Sequence, residues 1–181
     1  MARIGSKRKS SKTPQAVVGL GGRFRVAIVD PDGKVRGDSG WKKNVLTNIG
    51  VNDGILGRFM GLTGSQGANY FALGTGQASI GVTATGITGQ CAGGTMVAVT
   101  TATSGRTASS DGATARYTAT FTSGAFGNST TVGQAGLHFT TSGGSSTALI
   151  CAATFASSTV ATNQAINCSY DLIFSATVSN N

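Results

Sequence analysis

A mainly β chain, folded as an antiparallel β-sandwich or jelly-roll-like barrel with one short helix near residues 49–61 and a basic N-terminal arm, is what this sequence predicts. Three observations carry the prediction. The last segment alternates, with Ile166, Cys168, Tyr170, Leu172, Phe174, Ala176 and Val178 on one face and Asn167, Ser169, Asp171, Ser175 and Thr177 on the other, the period of a half-buried strand. Short β-branched and aromatic runs recur upstream of it, separated by Gly/Ser turns. Finally, five of the 14 Lys and Arg residues (Arg3, Lys7, Arg8, Lys9 and Lys12) fall in the first twelve positions without an acid among them. Beyond residue 61 the only charges are Arg106, Arg116, Asp111 and Asp171, so the net charge of +8 belongs to the N-terminal third.

Residues 1–15 show no apolar periodicity and Pro14 disfavours a helix through the junction, so they read as a flexible arm, with 16–181 as a single domain of sufficient length to fold without staples. The sequence Arg23-Phe24-Arg25-Val26-Ala27-Ile28-Val29 alternates as a strand. Asp30-Pro31-Asp32-Gly33 supplies the turn, and Lys34-Val35-Arg36 the return strand. Trp41, the only tryptophan, closes this basic hairpin and is expected to pack over its apolar face. Ile49, Leu56, Phe59 and Met60 make an approximately helical stripe, with Asn48 or Asn52 as cap, weakened by glycines at 50, 54 and 57 that each cost up to about 1 kcal/mol. Strands follow at 70–73, within 95–103, at 116–121, and at 134–140 and 147–155 around a Ser-Gly-Gly-Ser hairpin turn at 142–145. If the last strand is central, Leu172→Ala or Phe174→Ala costs about 2–5 kcal/mol.

The order Gly33-Lys34-Val35, then Trp41 to Asn44 with Leu46-Thr47-Asn48-Ile49-Gly50, then Phe71-Ala72-Leu73-Gly74-Thr75-Gly76, resembles bacteriophage virion structural proteins of the tail and tail-fibre β-sandwich type. Ala135-Gly136-Leu137 before a Ser-Gly-Gly turn, an apolar strand at 148–155 and the closing strand at 166–178 continue the likeness across residues 22–178. That group usually has an acidic residue where Gln134 stands and lacks the basic arm. The resemblance implies a non-enzymatic virion protein whose partners are its own copies and other virion proteins, located in the virion after synthesis in the host cytoplasm.

Other chemistry is sparse. His138, the only histidine, lies between Leu137 and Phe139 in a strand and reads as a hydrogen-bonded structural residue, with no Glu anywhere in the chain to pair with it. Asp30, Asp32 and Asp38 read as turn residues, so no metal is assigned, and no cofactor or small-molecule substrate is expected. Gly19-Leu20-Gly21-Gly22 and Gly74-Thr75-Gly76 lack the Lys-Ser/Thr of a phosphate loop and read as turns. Cys91, Cys151 and Cys168 lack metal-ligand spacing and read as small core residues. No segment reaches transmembrane length, and Thr13-Pro14-Gln15 interrupts any signal-peptide pattern, so no membrane partner is expected.

The arm is the candidate nucleic-acid-binding element. Its five cations, if each neutralised a phosphate of a single strand, would give a log–log salt slope of about −3.5. Such binding is independent of sequence, because no base-reading element or aromatic stacking platform accompanies those charges. A neighbouring subunit is the other partner such an arm would suit. Taken together, these features predict a capsid-forming or capsid-associated protein, with a tail component or an extracellular β-sandwich binding module as alternatives. A hydrolase lacks a credible acid–base pair.

Overall fold

The computed structural model describes residues 15–57, 60–61, 67–91, 96–99, 107–109, 112–139 and 149–179. Arg3, Lys7, Arg8, Lys9 and Lys12, and the turn expected at 142–145, lie outside these residues. Among the described residues, eleven strands form two antiparallel sheets: β1 (Gln15–Val29), β2 (Val35–Asp38), β3 (Lys42–Lys43), β4 (Val45–Leu46), β5 (Tyr70–Gly74), β6 (Val97–Ala98), β7 (Thr107–Ser109), β8 (Gly112–Phe121), β9 (Thr130–His138), β10 (Leu149–Val160) and β11 (Ala165–Ser179). Sheet A has the order β2-β1-β11-β8-β7, with β3 also paired to β1, and sheet B the order β4-β10-β9-β5-β6. This is the expected sandwich, and β11 is indeed central in its sheet, between β1 and β8.

The core lies between the sheets. Phe24, Val26 and Ile28 of β1, Ile166, Cys168 and Tyr170 of β11, and Ala119 and Phe121 of β8 meet Phe71, Leu73, Ala135, Leu137, Cys151 and Ala153 of sheet B. Phe24 is central to this contact, edge-on to Phe71 at 6.0 Å across the layers and tilted against Tyr170 at 4.7 Å. All three cysteines are buried and free, and burial pushes the Cys91 and Cys151 thiols up to about 11 and about 12, which keeps them protonated and unreactive. Leu172 and Phe174 are only partly buried and line an apolar cavity of about 430 Å³ with Leu46, Ile55, Phe139 and Ile150. Truncation there is therefore expected at the bottom of the 2–5 kcal/mol range, because part of the side chain already borders empty space.

Several elements depart from the sequence reading. β1 begins at Gln15, eight residues before the alternating run, and carries Gly19 to Gly22 inside the strand where a turn was expected. A Cβ on Gly22 would sit 2.2 Å from the Tyr170 hydroxyl, so glycine is what lets that buried phenol reach Asn44, which donates to it at 3.2 Å. Asn44 is also where the chain leaves β3 of sheet A for β4 of sheet B. The expected helix appears as a seven-residue π-helix, Gly50–Leu56. Its wider i→i+5 turn breaks the phase of the 3.6-residue stripe, so Leu56 and Met60 are exposed. Its first free amide is held by Thr47 rather than by either asparagine: Gly50 N–H donates to Thr47 Oγ1 at 3.0 Å. Residue 50 must be glycine, since a Cβ there would lie 2.1 Å from the Ile150 carbonyl oxygen.

The outer face of sheet B is covered by the connection running from Thr75 to Cys91. Gln134, 1% exposed, pins it by donating to the Ala78 carbonyl at 2.9 Å and accepting from Thr88 N–H at 3.0 Å. A carboxylate at this position would only accept, so the amide serves a bond a carboxylate would lose.

Candidate nucleic-acid interface

Alternation along β1 sends Phe24, Val26 and Ile28 into the core and leaves Arg23 and Arg25 on the other face. The same logic leaves Asp171 on the outer face of β11 and Arg116 on that of β8. The register then aligns them: Lys43 of β3 stands opposite Arg23, Arg23 opposite Asp171, and Asp171 opposite Arg116, in one row across four strands. Arg116 donates to the two Asp171 oxygens at 2.6 and 2.9 Å, and Arg23 to Oδ2 at 3.1 and 3.0 Å.

Trp41 lies across this row. The Arg23 guanidinium is 4.5 Å and that of Arg116 5.2 Å from its ring centroid. Beneath the two arginines the Asp171 side chain is fully buried, whereas the arginine side chains remain 43% and 47% exposed. Trp41 was expected on the apolar face of the hairpin. That face is already sealed by Phe71 and Tyr170 against Phe24, and two guanidiniums offer the indole cation–π contact on the opposite side.

Burial by itself pushes the Asp171 carboxyl up; the hydrogen bonds and charges of Arg116 and Arg23 outweigh it, and the net shift is down. Asp171→Asn is expected to cost about 1–3 kcal/mol, less than for a fully buried pair because the arginines are half exposed. A depressed folded-state carboxyl stabilises above its ordinary value, about pH 4, and loses that contribution as acid protonates the native state. Urea melts of the two proteins should therefore differ fully at neutral pH and converge at the acid end.

Charge is distributed very unevenly between the layers. Every described Lys and Arg (Arg23, Arg25, Lys34, Arg36, Lys42, Lys43 and Arg116) is on sheet A or its β1–β2–β3 connections, and no strand of sheet B contains a charged residue. Arg25 pairs with Asp38 at 2.5 Å and Arg36 with Asp30, which also accepts from Gln164. Asp32 accepts from Lys34 N–H at 3.0 Å in the turn, so the three aspartates serve the hairpin as expected of turn residues. Lys34, Lys42 and Lys43 are exposed and make no ion pair among the described residues. Seven cations against Asp30, Asp32, Asp38 and Asp171 leave this layer three charges positive.

His138 is structural in position but not hydrogen-bonded as expected. It is 3% exposed, and neither ring nitrogen has a hydrogen-bond partner among the described residues. Burial pulls its imidazole down to about 4, so it is neutral at physiological pH.

The sequence reading placed its nucleic-acid residues on the arm alone and saw no aromatic beside the charges. Trp41 is that aromatic for the body's charges. The outward positions of Arg23, Arg116 and Asp171 were visible as alternation; their shared row depends on register, which no local pattern encodes. No family model, curated protein or solved structure matches the chain.

Proposed function

We propose that this chain is a non-enzymatic structural protein of a virus or bacteriophage particle, present in many copies, capsid-forming or capsid-associated, with its cationic N-terminal arm on the genome or a neighbouring subunit. The observation that carries this reading is the segregation of charge: a neutral sheet B and a positive sheet A, in a chain whose remaining basic cluster, Arg3 to Lys12, precedes β1 of the same sheet. A protein packed in a closed shell has one side toward a polyanion and must leave the rest for contact with its own copies. The start of β1 pairs with the end of β11, Gln15 opposite Ser179, so the arm departs from one end of the charged layer. The sequence likeness of the glycine turns and strand faces to phage tail proteins supports a virion role of either kind.

Negative-stain microscopy with the 260/280 nm absorbance ratio at low and high salt tests the proposal. Closed shells carrying salt-sensitive nucleic acid are the expected result. Rings or trimers without nucleic acid would transfer the protein to a decoration or tail role, and a monomer at all concentrations would end the particle reading. Deleting residues 1–13 is expected to leave the sandwich folded, because β1 starts after the cut, and to reduce nucleic-acid retention or assembly fidelity. Unchanged packaging by the truncated protein would remove the arm from genome contact.

A further inference from the structure

We propose that the outer face of sheet A is itself a binding surface for single-stranded nucleic acid, with Trp41 stacking on a base while Arg23, Arg116 and Lys43 hold phosphates. This rests on the reading of the chain as a genome-associated particle protein and adds a second, ordered contact beyond the arm. Three features of the face point to it.

The first is how the two arginines are bound. Asp171 engages Nε and Nη2 of each guanidinium, which leaves Nη1 of both without a protein partner among the described residues, on side chains more than two-fifths exposed. The buried carboxylate thus fixes two planar donor forks on a rigid sheet, and bidentate phosphate recognition needs that geometry. The second is the aromatic. Trp41 is partly exposed and locked against the same two guanidiniums, so a π-surface and cations are presented together, as on single-strand binding platforms. The third is shape and charge. Lys43 extends the row at the β3 edge, and among the described residues no helix or ribbon projects from this sheet face to enter a duplex groove. A neutral glycan would account for the tryptophan but not for the surplus of cations.

Since Trp41 is the only tryptophan, its fluorescence reports on this face without interference from the arm. The full chain would be titrated at low salt with a dT or U oligonucleotide of about 16 nucleotides, and with inorganic polyphosphate as the base-free polyanion. Quenching by the oligonucleotides, with polyphosphate binding but leaving the emission nearly unchanged, is the expected result. By anisotropy of a labelled oligonucleotide, Trp41→Ala should weaken binding about fivefold or more and Trp41→Phe much less. The variant Lys43→Ala, which alters only an exposed side chain, should reduce the log–log salt slope by about 0.7. Unaltered emission at oligonucleotide saturation, quenching by polyphosphate equal to that by oligonucleotides, or an unchanged slope in Lys43→Ala would each overturn the proposal. Particle formation is scored separately by microscopy. Quenching without particles would end the particle reading and leave this site standing, whereas nucleic-acid-filled particles without quenching would do the reverse.

Discussion

Phe24→Ala is expected to destabilise the protein by about 3–5 kcal/mol, a large part of the 5–15 kcal/mol that holds a typical domain together. Phe24 is fully buried on β1, and its ring touches both Tyr170 in its own sheet and Phe71 in the opposite one. Removing it opens a cavity at the contact between the layers, where Tyr170 is restrained by its bond from Asn44 and cannot readily fill the space. Urea denaturation read by far-UV circular dichroism measures the loss as a shift in midpoint at constant slope. A cost under about 1 kcal/mol would mean that the two sheets are held together elsewhere.

The second large effect is a pH dependence that comes from His138. Its folded-state value, about 4, lies below the ordinary value of 6.5 because burial penalises the charged ring. Between these two values the unfolded chain binds a proton that the native state does not. Stability is therefore full above about pH 6.5 and falls as the pH is lowered, by about 1.4 kcal/mol per unit, reaching about 3 kcal/mol near pH 4. The carboxylate contribution of Asp171 is lost only below this range, so the two windows are separable. His138→Leu should flatten the slope between pH 6.5 and 4. At neutral pH the substitution should cost little, because the neutral imidazole has two buried nitrogens unpaired among the described residues. Urea melts at pH 7, 5.5 and 4.5 provide the check; parallel slopes in wild type and variant would show that the ring is solvated in solution.

Much of the fold was legible because one face of each long strand is sealed against the other sheet. The alternation of Ile166, Cys168 and Tyr170 against Asn167, Ser169 and Asp171 is a direct consequence of that burial, and so is Phe24 against Arg23 and Arg25. The helix was visible as a location but not as a type. Its apolar spacing predicted a 3.6-residue turn, and the close approach of the Ile150 carbonyl to Gly50 accompanies a wider one. Gly19 to Gly22 were misread because glycine marks turns and close approaches alike, and the hydroxyl of Tyr170 that needs the space is nearly 150 positions away in the chain.

By itself, the sequence determined the β character, the inward faces of β11, of β8 and of the second half of β1, the burial of the cysteines and the concentration of charge in the N-terminal third. These follow from composition and local period, which a chain carries wherever it folds. Only the tertiary structure decided that Arg23, Asp171 and Arg116 share one row, that Trp41 lies over that row instead of in the core, and that His138 is enclosed without a partner among the described residues. Each of these depends on strand register and on which layer covers which, and both are set by long-range pairing, as between Arg23 and Asp171, 148 positions apart.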